Sequence, residues 1–193
     1  MTLKSITRGT DHGCMTSRPT GVERHLGPDE LIVSKTDLQG RITYANESFL
    51  RIGAFTEDQV IGQPHNLIRH PEMPRAVFKL LWDTVQSKQE LFAYVVNLAA
   101  DGAHYWVLAH VTPSFDAHGA VVGYHSNRRR PHPEALARIK PVYAEVLAEE
   151  ARHSGARAAT AAGAELLAQM VARSAGSYDE FVWSLEPQEV GAR

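Results

Sequence analysis

Between Gln63 and Pro74 the chain reads QPHNLIRHPEMP, gathering His65, Asn66, Arg69, His70 and Glu72 within a dozen residues. Each of these side chains has a defined chemical use. An arginine fork binds two oxygens of a phosphate, an amide presents a donor beside an acceptor, and a neutral imidazole donates from one nitrogen and accepts at the other. Pro64, Pro71 and Pro74 forbid one continuous helix, because each lacks an N–H and drives the preceding residue toward extended backbone. The stretch therefore reads as a loop studded with polar groups, a common support for a binding site. A further amide, Asn97, stands in AYVVNLA, where alternation sets Ala93, Val95 and Asn97 on one strand face and Phe92, Tyr94 and Val96 on the other. A buried amide needs a partner, and a bound small molecule would supply one.

Catalytic chemistry finds little support. The sequence holds no HExxH pair, no cysteine cluster and no nucleophile with an adjacent base and orienting group, so no enzymatic role is expected. Among the plentiful histidines, His70, His104 and His110 are candidates for an axial ligand to haem b, which keeps a haem-binding gas sensor open as an alternative. Cys14 is the only cysteine and sits in a polar N-terminal stretch. That excludes an internal disulfide or thiolate cluster, and it disfavours a cysteine-based light sensor.

The elements that must hold these residues can be read in order. LIVSKTD (31–37) and RITYA (41–45) flank a Gly-containing turn and predict a hairpin. Asn46 then precedes ESFLRIGAF as a helix cap, and TEDQVIG adds a short helical turn capped by Thr56 and stopped by Gly62. In PRAVFKLLWDTVQSK the apolar residues Val77, Phe78, Leu81, Trp82 and Val85 recur at helical spacing, predicting an amphipathic helix packed on a sheet. LFAYVVNLA, HYWVLAHVTPSF and VVGYHSNRR predict three further strands joined by turn-rich ADG and DAHG. The fold class is α+β: one five-stranded antiparallel sheet with helices across one face, bent enough to leave a cavity that the 63–74 loop would rim.

Composition narrows the setting. At 193 residues and a formal charge of −2, with basic residues dispersed, the chain shows no nucleic-acid footprint, and Arg128 to Arg130 read as a solvated strand end. No run approaches the roughly 20 apolar residues of a spanning helix, and the N-terminus lacks the apolar core of a signal peptide. A cytoplasmic protein without direct membrane insertion is expected.

TDLQGRITYANESFL, GQPHNLIRHPEMPRAVF, DGAHYWVLAHVTP and GYHSNRRRP together resemble the PAS domain of bacterial aerotaxis receptors, with a weaker echo in IKPVYAEVL. The resemblance implies a PAS fold holding flavin adenine dinucleotide (FAD) non-covalently, whose redox state is reported to a chemotaxis signalling complex. Carried over by position, it points to Asn46, His65, Asn66, Arg69, His70 and Asn97 as cofactor residues; on the chemistry of a flat ring, Trp82, Phe92, Tyr105 and Trp106 offer the aromatic area. Where those receptors tend to carry a tryptophan, this chain has QELFAYV, so Phe92 or Tyr94 would supply the stacking. Plainer readings stand beside these: Asn46 as a helix cap, Trp82 as core, and Arg69 and His70 as ties to Glu72 or Asp58.

The expected organisation is a flexible arm or cap over residues 1–30, a PAS sensor over 31–130 and a helical extension over 131–193. The extension is Ala-rich and predicts two or three helices, broken around Pro141 and at HSG. It serves either as a lid on the domain's own sheet or, the reading favoured here, as a dimerisation or docking surface. With no anchor or signalling region in the sequence, the expected role is a sensor module acting through a separate methyl-accepting chemotaxis protein or histidine kinase, as a homodimer. The alternative without a cofactor is a PAS interaction adaptor.

Overall fold

The computed structural model describes residues 18–187, so Cys14 and the first seventeen residues of the predicted arm lie outside the described residues. Turn chemistry sets up the sheet. In the tight connection after β1 (Ile32–Thr36), Asp37 Oδ1 accepts from the backbone N–H groups of Gln39 and Arg41, and the chain returns as β2 (Ile42–Ala45). Gly40 closes this turn at φ +75, and a Cβ there would lie 3.0 Å from the Trp82 ring. Glycine thus serves both the left-handed backbone and the close approach of the helix above.

The helical crossing follows. α1 (Glu47–Gly53) is capped by Asn46, and α2 (Glu57–Val60) opens on a reciprocal capping box between Thr56 and Gln59. His65–Ile68 form one 3-10 turn inside the proline-rich loop, and α3 (Arg75–Gln86) starts after Pro74. β3 (Leu91–Leu98), β4 (His104–Phe115) and β5 (Val121–Arg129) then complete an antiparallel sheet in the order β2-β1-β5-β4-β3. The predicted fold class and all five strands are present.

Pairing register fixes which side chains meet the helices. Ser34 opposes Ser126, Ile32 opposes Arg128, Ala109 opposes Arg128, and Asn97 opposes Tyr105. Directly opposed residues share a face, so these side chains point to the side that α1, α2 and α3 cover. Phe49, Ile52, Val60, Ile68 and Val77 seal that layer.

The other face of β3 and β4 is covered by the C-terminal extension, which forms α4 (Pro133–Ala151), α5 (Ala156–Ser174) and α6 (Tyr178–Leu185). The Tyr143 hydroxyl donates to the Tyr94 carbonyl at 2.8 Å, Trp106 stacks near Tyr143, and Trp183 leans on Phe92. These contacts form a lid on the domain's own sheet. The predicted break around Pro141 does not occur: α4 runs through it. Losing one helical hydrogen bond there costs about 3 kcal/mol, and burial of Ile139, Tyr143 and Val146 on both sides of the proline offsets it.

Within the predicted N-terminal arm, residues 18–26 lie along the sheet. Thr20 N–H donates to the Gly102 carbonyl and Arg24 N–H to that of His104, the Arg24 side chain pairs with Asp101, and Leu26 is buried. Among the described residues no helix is long and apolar enough to cross a membrane.

Candidate ligand pocket

A cavity of about 220 Å³ opens between the inner sheet face and the layer formed by the 63–74 loop and α3. Its floor is sheet: Ser34 and Thr36 from β1, Val95 and Asn97 from β3, Ala109 and Val111 from β4, Tyr124, Ser126 and Arg128 from β5. Its roof is His65, Asn66, Ile68 and Arg69 from the loop with Phe78, Leu81, Trp82 and Val85 from α3. The apolar spacing that makes α3 amphipathic therefore also makes one wall of the cavity. Trp82 is further fixed by an edge-on contact with Tyr124 at 5.4 Å.

The polar floor is built around a buried cation. Arg128 is only 4 % exposed, and its Nη2 donates to Ser34 Oγ at 3.0 Å and to His65 Nε2 at 2.7 Å. Guanidinium nitrogens only donate, so His65 Nε2 accepts and the imidazole carries its single proton on Nδ1. Burial first, and the Arg128 charge second, drop the His65 pKa to about 3, leaving the ring neutral at ordinary pH. Burial likewise lowers Arg128 to about 10, which still leaves it charged. Among the described residues no carboxylate lines this cavity. A desolvated guanidinium without a counter-charge is costly, and a ligand bearing acceptors or negative charge would relieve it.

Orphaned polar atoms cluster at the same place. Among the described residues five buried side-chain polar atoms have no hydrogen-bond partner, and four belong to the cavity lining: Thr36 Oγ1, Asn97 Nδ2, Ser126 Oγ and Arg128 Nη1. Polar atoms so buried find partners in a bound ligand or in ordered water.

The residues singled out from the sequence fall into two groups. His65, Asn66, Arg69, Trp82 and Asn97 meet at this cavity. Arg69 lies over the Phe78 ring, donates from Nη2 to the Met73 carbonyl at 3.0 Å, and is held to β3 by a backbone bridge with Asn97.

The others lie elsewhere. Asn46 caps α1 by accepting from Phe49 N–H, and it also ties β1 by accepting from Val33 N–H and donating to the Leu31 carbonyl. His70 faces a second groove, where its Nδ1 accepts from Glu72 N–H and burial lowers its pKa. Phe92 is on the opposite sheet face, as its alternation with Asn97 dictates, stacked on His110 at 4.1 Å. Tyr105 is fully buried in the core outside the cavity lining. The haem candidates fare similarly: His104 sits beside His70 and Glu23, and His110 pairs with Glu90, so none of the three lines the cavity.

Arg128 was absent from the candidates because a run of three arginines reads as a charged patch. Strand parity carries the missed signal: Tyr124, Ser126 and Arg128 alternate onto the inner face while Arg129 and Arg130 remain exposed.

A five-stranded antiparallel sheet with short helices across one face and a ligand-sized cavity between them is the architecture of a PAS-type domain. Residues 32–126 match the PAS fold family, and this segment of the chain belongs to it. The chain is 37 % identical to the aerotaxis receptor of Escherichia coli (strain K12) over 131 residues, covering 67 % of this chain and 26 % of the receptor. It is 30 % identical over 97 residues to the nitrogen fixation regulatory protein of Klebsiella pneumoniae, covering 50 % of this chain and 20 % of that protein. The chain thus spans about a quarter or less of these relatives. Among solved structures, the dark state of the Aureochrome1 LOV photoreceptor domain superposes with a TM-score of 0.51 at 24 % identity, over 60 % of this chain and 85 % of that one. A light-oxygen-voltage domain studied with a flavin analogue gives 0.51 at 20 % identity, covering 60 % and 87 %. These two likenesses are of fold.

Proposed function

We propose that this chain is a cytoplasmic redox or oxygen sensor that binds FAD non-covalently in the cavity and signals through a separate chemotaxis receptor or histidine kinase, acting as a homodimer. One observation carries the reading: Asn97 Nδ2 and Arg128 Nη1, both buried and unpartnered, belong to one cavity whose α3 side is apolar and which, among the described residues, no carboxylate lines. The pyrimidine edge of an isoalloxazine is rich in acceptors and gains negative charge on reduction, so it suits two donors of which one is a fixed cation. Phe78, Leu81, Trp82 and Val85 suit the flat apolar part of such a ring.

Flavin, when bound, supplies one- and two-electron redox chemistry. The chain's residues do the rest. Arg128 and Asn97 orient the ring edge, neutral His65 offers its Nδ1 proton as a third donor, and Asn66, at the exposed rim, suits the ribityl and phosphate groups. Arg69 also lines the cavity, with one nitrogen held by Met73 and the rest of its fork left for a phosphate oxygen. The likeness to an aerotaxis receptor over 131 residues supports the sensory role, with 31–130 as sensor and 131–193 as output extension.

The test is an absorption spectrum of the purified chain, taken oxidised and then reduced with dithionite. A flavin doublet that bleaches on reduction, with FAD released on denaturation, is expected. A Soret band would replace flavin with haem, and a colourless chain that takes up no added flavin would overturn the reading.

A further inference from the structure

We infer that the α4–α5 hairpin is a latch on the cofactor loop, closed by Glu150, and that flavin occupancy of the cavity sets whether the latch holds. This rests on the flavin reading above and adds the route by which the site reaches the rest of the chain.

The latch begins with a helix that cannot cap itself. α3 opens after Pro74, whose side chain accepts no hydrogen bond, so the first amides of α3 have no local partner. Glu150, from the last turn of α4, supplies one. Its Oε2 accepts from Arg75 N–H at 3.1 Å and its Oε1 from Ala76 N–H at 2.8 Å. The carboxylate is 7 % exposed and lies at the positive end of the α3 dipole.

Room for it is made by a third element. On α5, a Cβ at Gly163 would lie 2.7 Å from Glu150 Cγ and 2.8 Å from Oε1, closer than such atoms approach. Pro74, Glu150 and Gly163 therefore fit together as one device from three distant parts of the sequence.

The capped segment is the roof of the cavity. The loop that leads into α3 presents His65, Asn66 and Arg69 to the ligand space, and α3 itself presents Phe78 and Trp82. Glu150 also acts electrostatically on Arg69, the residue shared by the cavity and the second groove. That groove, about 580 Å³, separates Arg69, His70 and Arg75 from Leu147 and His153 of the hairpin, so the loop has space to shift beside the latch. Hydrogen bonds from two consecutive amides to one carboxylate are directional. A roof that moves as the cavity fills changes their geometry, and by linkage a latch that closes more firmly on the filled state must raise flavin affinity in return.

The experiment is hydrogen exchange by mass spectrometry on the full chain with and without FAD, for wild type, Glu150→Gln and Gly163→Ala, beside FAD titrations of all three. In wild type, FAD is expected to slow exchange in the first turn of α3 and, with it, in residues 145–165. Glu150→Gln is expected to weaken FAD binding about tenfold and to confine the FAD-dependent protection to the loop and α3. Gly163→Ala, which keeps the carboxylate but displaces it, is expected to do the same. Wild type that binds FAD while residues 145–165 exchange identically in both states would overturn the latch and leave the flavin reading intact, and this comparison decides even if a variant fails to fold. Variants that bind FAD as tightly as wild type would also overturn the latch. A wild type that takes up no FAD would overturn the reading and the latch together.

Discussion

Arg128 donates to His65 Nε2 at 2.7 Å, so a cation from β5 fixes the tautomer of a cavity-roof histidine that burial first, and this charge second, keep neutral. A charge that would ordinarily be neutralised by a carboxylate instead polarises an imidazole. The pair leaves one guanidinium nitrogen, Arg128 Nη1, buried at the cavity without an acceptor, which is why the site suits an acceptor-bearing edge.

This pairing predicts acid sensitivity. The unfolded chain's imidazole takes a proton at its ordinary pKa of 6.5, whereas folded His65 takes one only near 3. Between those values the unfolded state binds more protons, so the contribution is fully present above about 6.5 and is lost as pH falls toward 3. His70, lowered by burial, acts in the same direction. Urea unfolding of the flavin-free chain at pH 7.5, 6 and 5 should show stability falling by up to about 1.4 kcal/mol per pH unit from His65, with His70 adding in the same direction. His65→Gln should flatten that slope, and an unchanged slope would mean that His65 titrates normally in the fold.

Asn97 carries a prediction of unusual sign. A buried amide with an unpartnered nitrogen costs stability, so replacing it with a similar apolar shape removes the cost. Asn97→Leu should stabilise the flavin-free chain by about 1 to 2 kcal/mol while weakening flavin binding roughly tenfold or more through the lost hydrogen bonds. Thermal melting and flavin titration of the same samples read both effects. Loss of stability without loss of affinity would place Asn97 in the scaffold.

How much of this was legible in the sequence depends on how local each signal is. The strands were legible because alternation and turn residues are local, and the same alternation put Asn97 and Phe92 on opposite faces. Counting Phe92 among the cofactor residues weighed aromatic area against that parity, and the parity decides. Arg128 was hidden by its neighbours, since composition averages over a run that the pleat separates. Glu150 had no readable signal: in a helix ending Glu149–Glu150 it looks like solvent-facing charge, and the amides it caps are about 75 residues away. Pro141 shows the reverse error, where tertiary burial overrode a correct local rule.

Asn46 separates fold from site. Its Oδ1 accepts from Phe49 N–H and Val33 N–H, each at 3.0 Å, and its Nδ2 donates to the Leu31 carbonyl at 2.9 Å, so one amide joins α1 to β1. Asn46→Ala should cost about 2 to 3 kcal/mol, a helix cap plus a lost strand tether, with flavin affinity of the folded protein within about twofold of wild type. Selective loss of flavin at unchanged melting temperature would return Asn46 to the binding site.

Tyr143 tests the lid. β3 is an edge strand, and edges need cover against pairing with other chains. On this edge the Tyr143 hydroxyl, fully enclosed, donates to the Tyr94 carbonyl at 2.8 Å, while the Tyr94 hydroxyl donates to Glu186 at 2.6 Å. Burial raises the pKa of both phenols, so both remain donors through the physiological range. Tyr143→Phe keeps the ring against Trp106 but leaves a buried carbonyl without its donor, which costs about 1 to 3 kcal/mol. The loss should appear in urea unfolding together with faster hydrogen exchange along α4 and α6. If the helices instead leave the sheet in solution to dock elsewhere, the substitution will change neither quantity, and the outer face of β3 and β4 will exchange rapidly in the wild type already.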